Sequence, residues 1–143
     1  MARADFPHSY RLRVRYSEVD PQGVVFNARY LDYADIAVTE YWRAAKAAGH
    51  WGEAILECHV AKAEVNFRKP ILADEQIDVM ARTSRFGTTS MTTLVEIHGA
   101  GSEDLRASIE LVAVHVDLAD HRPRALPDSV RTALGAFDAR AAS

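Results

Sequence analysis

The chain is poor in the residues that build covalent and metal frameworks. A single cysteine, Cys58, stands in 143 residues, which excludes an intrachain disulfide and a cysteine-built zinc site; a lone thiol of this kind reads as a small buried hydrophobe. No apolar run approaches the length of a membrane helix, and Met1–His8 lacks the apolar centre of a signal peptide, so a cytoplasmic protein with no membrane partner is expected. The net charge of −3 gives no global pull toward nucleic acid or anionic lipid. Gly-rich phosphate loops and the Gly-x-Ser-x-Gly nucleophile turn are missing. Six histidines at 8, 50, 59, 98, 115 and 121 form no His-x-x-x-His pair. His98 and His115 could meet across neighbouring strands but read as structural, and no metal site is expected. Repeats, heptads and low-complexity linkers are absent as well.

What remains is an ordinary globular composition, 48% hydrophobic and 26% charged, long enough for one domain over 1–143. Residues 1–8 read as a loose arm. Residues 9–17 alternate, with Tyr10, Leu12, Val14 and Tyr16 on one face and Arg11, Arg13 and Arg15 on the other, which predicts a strand with one buried side. Residues 28–48 carry Tyr30, Ala34, Ala37, Tyr41, Ala44 and Ala48 at helical spacing. Leu31, Val38 and Trp42 widen the apolar surface, so a mostly covered helix is expected, about 30 Å long, with Gly49 as its stop. Strand rhythm returns from 59 to Pro70, over 76–83, over 88–98 and over 105–116, with a bend at Arg85-Phe86-Gly87 and a turn at 99–102. The last of these strands is apolar on both faces in its second half, as an interior strand would be. A second helix over 127–140 begins near Pro127. Strand, long helix, four strands and short helix make an α+β domain, one antiparallel sheet packed on one helix. Its open edge predicts self-association.

The joint between the first strand and the long helix concentrates the chemically versatile residues. Asp20 precedes Pro21, which fixes φ and offers no N–H. Gly23 permits positive φ or close approach. Asn27 is a good N-cap for the following helix. Such a joint sets a carboxylate near the N–H-rich end of a helix, where developing negative charge is favoured. Asp and Asn also occupy turns for structural reasons alone.

The run Asp20-Pro21-Gln22-Gly23-Val24-Val25-Phe26-Asn27-Ala28-Arg29-Tyr30-Leu31-Asp32-Tyr33 resembles the signature of hotdog-fold acyl-CoA thioesterases of the 4-hydroxybenzoyl-CoA thioesterase family. Arg68-Lys69-Pro70-Ile71-Leu72-Ala73-Asp74-Glu75 is similar to the family's strand-ending segment. The resemblance implies a five-stranded antiparallel sheet wrapped around the long helix, in homodimers or homotetramers. It implies hydrolysis of an acyl-CoA, CoA being part of the substrate and no cofactor being needed. Asp20 would be the catalytic carboxylate, as nucleophile or as general base. The backbone N–H of Asn27, seven residues on, would polarise the thioester carbonyl, with Gly23 letting substrate or water approach. Arg85, Arg124 and Thr88 would contact CoA, and the acyl group could be aromatic and 4-hydroxybenzoyl-like. Other readings are a thioesterase for acyl-carrier-protein esters, a non-catalytic acyl-binding hotdog module, and, more weakly, a hydratase, which would want a histidine near the helix entrance.

Overall fold

A computed structural model describes residues 2–141. Strand β1 (His8–Arg13) leads to helix α1 (Arg29–Ala48), then β2 (Cys58–Phe67), β3 (Gln76–Phe86), β4 (Ser90–Gly99), β5 (Leu105–His115) and helix α2 (Asp128–Asp138). The strands form one sheet in the order β1-β3-β4-β5-β2, and every neighbouring pair is antiparallel. This is the expected hotdog arrangement.

Period-2 patterning decides which face meets α1. Ile77, Val79 and Ala81 of β3 stand opposite Gly99, Ile97 and Val95 of β4, all on one face. Ile77, Val79, Ala81, Val95 and Ile97 pack with Tyr30, Ala34, Ala37 and Tyr41 of α1 in a single core. Val130, Leu134 and Phe137 of α2 close the end of that core, as their spacing predicts. Gly49 ends α1 with φ +110°, a backbone conformation that disfavours other residues. Pro70 lies just beyond β2.

Several expectations are corrected. The first strand stops at Arg13 rather than running through Ser17. The Arg15 amide donates to Glu18 Oε1 at 2.6 Å, curling Tyr16–Glu18 into a 3-10 turn and turning Tyr16 out to 87% exposure. The N-terminal arm is tied down. Arg3 donates to Asp78 Oδ2 at 2.8 Å and Arg82 donates to the Asp5 carbonyl at 2.7 Å, so Asp78 and Met80 on the outer face of β3 are as buried as their inner-face neighbours. Helix α1 begins at Arg29, and its N-cap position belongs to Ala28 with no side-chain cap, so Asn27 does not cap it. His98 and His115 do not meet. His98 faces Asp78 and Leu105, whereas His115 lies at the other end of β5, opposite Cys58. Finally, α1 is not covered all round. Its buried set is Tyr30, Tyr33, Ala34, Ala37, Tyr41 and Ala45, and Leu31 is 44% exposed. The reason is β2, an edge strand whose residues are mostly exposed.

Candidate active site

The Asp20 turn is a miniature hairpin. Val19 pairs with Val25, the Asp20 amide donates to the Val24 carbonyl at 2.8 Å, and the Gly23 amide donates back to the Asp20 carbonyl at 2.9 Å. Pro21 presets the second position of this turn and Gly23 follows with φ +79°, the pattern of a three-residue hairpin loop closed by a glycine in the left-handed region. No atom lies within 4 Å of a Cβ built on Gly23. Glycine is therefore favoured here by backbone conformation rather than by crowding around a side chain among the described residues.

The hairpin is pinned on two sides. The Val25 amide donates to the Ile71 carbonyl at 2.8 Å, and Val24 bridges Leu72. That supporting loop is itself clamped by Arg106, which donates to both Glu75 carboxylate oxygens (2.6 and 3.2 Å) and to the Pro70 carbonyl at 3.0 Å. On the other side the Phe26 amide donates to the Glu18 carbonyl at 2.9 Å, and Tyr33 of α1 donates its hydroxyl to Glu18 Oε1 at 3.0 Å.

Two polar features are left available. Asp20 Oδ1 accepts from the Gln22 amide at 2.8 Å, which orients the carboxylate, while Oδ2 has no partner among the described residues. The amides of Asn27 and Ala28 are likewise without an acceptor among the described residues, the first helix bonds being Arg29 to the Phe26 carbonyl and Tyr30 to the Asn27 carbonyl. Unsatisfied N–H groups at a helix entrance carry partial positive charge. A carboxylate oxygen and backbone amides left without partners among the described residues are groups that can attack a carbonyl and hold an oxyanion.

A cleft of about 400 Å³ runs along α1 toward the β2 edge, walled by Leu31, Val38 and Trp42 on the helix and by Val60, Leu111 and Ala113 on the sheet. Leu31, Asp35, Val38 and Trp42 fall at helical spacing on one stripe, beginning one turn past Asn27. Asp35 and Thr39 are the helix's polar contributions to this apolar wall, and the Asp35 carboxylate has no partner among the described residues. Cys58 also lines the cleft. Burial, and then the neighbouring Glu57, push its thiol up to about 11, so it stays protonated and is not a competing nucleophile.

The residues expected to contact CoA gather at the far end of the sheet. Arg85 is exposed at a β-bulge between β3 and β4 and unpaired among the described residues. The Thr88 carbonyl accepts from the Leu126 amide at 2.9 Å. Arg124 is engaged by Asp117. Arg131, unforeseen in the sequence, donates to the carbonyls of Gly87 and Thr88 and stacks 5.8 Å over Phe86. Only its place on the polar side of α2 hinted at such a role. Since β3 begins beside the Asp20 hairpin and ends at Phe86, Asp20 and this basic rim are ~30 Å apart along the strand of one chain.

No three His, Cys, Asp or Glu side chains among the described residues converge as a metal site. His59 and His121 approach at 2.9 Å between nitrogens with ring centres 5.2 Å apart. That is one ring donating to the other.

Comparison with known proteins identifies the family and the fold. Residues 14–134 match the family model of the thioesterase-like superfamily. The acyl-CoA thioester hydrolase YbgC of Escherichia coli O157:H7 is 28% identical over 124 residues, covering 83% of this chain and 89% of its own length. Among solved structures, a Thermus thermophilus thioesterase complexed with coenzyme A and Zn superposes with a TM-score of 0.80 at 28% identity, over 95% of this chain and 97% of that one. A Pseudomonas aeruginosa protein superposes with a TM-score of 0.83 at 23% identity, over 99% and 97%.

Proposed function

The chain belongs to the thioesterase-like superfamily, and on that footing we propose that it is an acyl-CoA thioester hydrolase, converting R–CO–S–CoA and water into R–COOH and CoA–SH. The observation that carries this reading is the junction where Asp20 Oδ2 and the Asn27 amide are both left without partners among the described residues. Asp20 acts on the thioester carbonyl. As a nucleophile it would form a mixed anhydride and expel the CoA thiolate, which takes up a proton, and water would then cleave the anhydride. As a general base it would take a proton from the attacking water. On either route the carbonyl oxygen gains charge that the Asn27 amide receives. Losing one such donor elsewhere costs about 3–4 kcal/mol of transition-state stabilisation.

A second copy of the chain would complete the site. The β2 edge is unpaired among the described residues, with Val60 and Phe67 exposed, as an edge that associates would be. A two-fold axis beside β2 reverses strand direction, so the Arg85–Thr88 end of one copy comes to the Asp20 end of the other. The ~30 Å separation within one chain then becomes a short reach between chains, and Arg85 and Arg124 meet the phosphates of CoA.

The acyl group occupies the cleft along α1. Its apolar walls suit an aromatic ring or an alkyl chain, and the unpartnered Asp35 carboxylate suits a hydroxyl at the far end of that group, in the manner of 4-hydroxybenzoyl. Free-thiol release from 4-hydroxybenzoyl-CoA, benzoyl-CoA and straight-chain acyl-CoAs tests this. The expected preference for the hydroxyaryl ester over benzoyl is ~tenfold or more, the value of a hydrogen bond to a charged group, and Asp35→Ala should erase it. A preference for straight chains would overturn the aromatic assignment and leave hydrolysis standing.

A further inference from the structure

Glu18 sits at a crossing of three elements and touches neither the cleft nor the basic rim. Its Oε1 accepts from the Arg15 amide at 2.6 Å and from the Tyr33 hydroxyl at 3.0 Å. Its carbonyl accepts from the Phe26 amide at 2.9 Å. Glu18 therefore binds the chain leaving β1, the returning arm of the hairpin and the second turn of α1. It does so two residues before Asp20, and its bond to Phe26 falls one residue before Asn27.

Tyr33 is equally committed. Its ring is fully buried in the α1 core, so the only freedom left to the hydroxyl is rotation, and that is fixed by Glu18. Burial, and then the Glu18 carboxylate, push the phenol's pKa up, so it remains a donor throughout the range in which a thioesterase would work.

We infer that Glu18 and Tyr33 form a positioning pair that sets the register of the Asp20 hairpin against the entrance of helix α1, and so fixes the Asp20 carboxylate relative to the Asn27 amide. The inference rests on the reading of Asp20 and Asn27 as the working groups. Its physical basis is that the hairpin meets the rest of the molecule through few bonds. The Val25–Ile71 bond ties it to the 70–75 loop. Among the described residues, the Glu18–Tyr33 bond is the side-chain hydrogen bond that ties it to the helix supplying the amides. A shift of about 1 Å between reacting groups is enough to lower turnover ~100-fold.

Tyr33→Phe removes the hydroxyl and keeps the ring. The expected result is a fall of ~tenfold or more in kcat for thiol release from acyl-CoA, with KM within about twofold, because the cleft and the basic rim are untouched. Amide exchange should quicken at Val25 and Phe26, whose amides are hydrogen-bonded to Ile71 and Glu18, and stay unchanged in β3 and β4. Glu18→Gln keeps an acceptor oxygen for both Tyr33 and Arg15 and should retain most of the turnover, whereas Glu18→Ala should reproduce Tyr33→Phe. A Tyr33→Phe protein whose Tm falls while kcat stays at the wild-type value overturns the inference, leaving a structural hydrogen bond only. Wild-type protein that releases no thiol from any acyl-CoA contradicts the hydrolase reading instead. The exchange data then decide the positioning pair alone, unchanged protection at Val25 and Phe26 overturning it.

Discussion

The amide of Asp20 donates to the carbonyl of Val24 at 2.8 Å. Because of that bond, the residue proposed to attack the thioester stands at the base of a closed three-residue loop, with its backbone fixed before any substrate arrives. A carboxylate on a free loop would have to be ordered in every catalytic cycle. Here the turn residues have done that ordering during folding.

The closure depends on Gly23, held at φ +79°. Gly23→Ala has room for its methyl group but must adopt the left-handed conformation, at a cost of about 1–2 kcal/mol. Urea unfolding should show that loss. Turnover should fall by more than the stability loss explains, because the relaxed loop moves Asp20. Gly23→Asn, which tolerates positive φ better, should fall between Ala and wild type on both measures.

At the opposite end of the chemistry, Arg85 is free to meet a phosphate. Arg85→Ala is expected to raise KM for acyl-CoA by ~3–10-fold with little change in kcat, the signature of lost uniform binding. The same variant should leave the kinetics of acyl-pantetheine esters, which lack the nucleotide phosphates, unaltered. Steady-state kinetics with the two thiol carriers check both halves.

A pH prediction comes from the outer face of the sheet. Burial opposes ionisation of Asp78, but hydrogen bonds from Arg11, the Gly101 amide and Arg3 outweigh it and hold the carboxyl at about 2, below its ordinary 3.8. A carboxyl depressed on folding adds stability that is complete above the unfolded pKa. That stability is lost as pH falls from about 4 toward 2, and it amounts to about 2 kcal/mol. Asp78→Asn should flatten the unfolding free energy over that acid window and lower stability at neutral pH, measured by urea melts at pH 2 to 7.

Much of this architecture can be read from the sequence because it follows from local rules. The alternation of Ile77, Val79, Ala81 and Thr83 gives the inner face of β3, the spacing of Tyr30, Ala34, Ala37 and Tyr41 gives the buried side of α1, and Gly49 marks its end. The Asp20 turn is legible for the same reason, since Pro21 and Gly23 carry its geometry in their own backbones. Contacts between distant segments are not legible in this way. Tyr16 continues the alternation of the first strand and yet points to solvent, because the Glu18 carboxylate captures the Arg15 amide and bends the chain. Asp78 reads as a solvent-facing strand residue and is buried by Arg3, seventy-five residues away. Leu31, Val38 and Trp42 look like core and instead wall a cleft, since hydropathy cannot tell a surface covered by its own sheet from one kept open beside an edge strand. Asn27 has the composition of an N-cap, but residues 27 and 28 form a turn whose free amides are backbone groups, invisible to side-chain patterning.

In the proposed reaction Asp20 performs the chemistry, and Asp20→Asn removes the group responsible. Asparagine keeps the oxygen that accepts from the Gln22 amide and removes the charge, so the hairpin should persist, with a circular dichroism spectrum and Tm close to wild type. Thiol release measured in parallel on the preferred acyl-CoA should fall at least ~100-fold in kcat. A folded Asp20→Asn protein that turns over at the wild-type rate would rule out Asp20 as the catalytic carboxylate and leave it a turn residue.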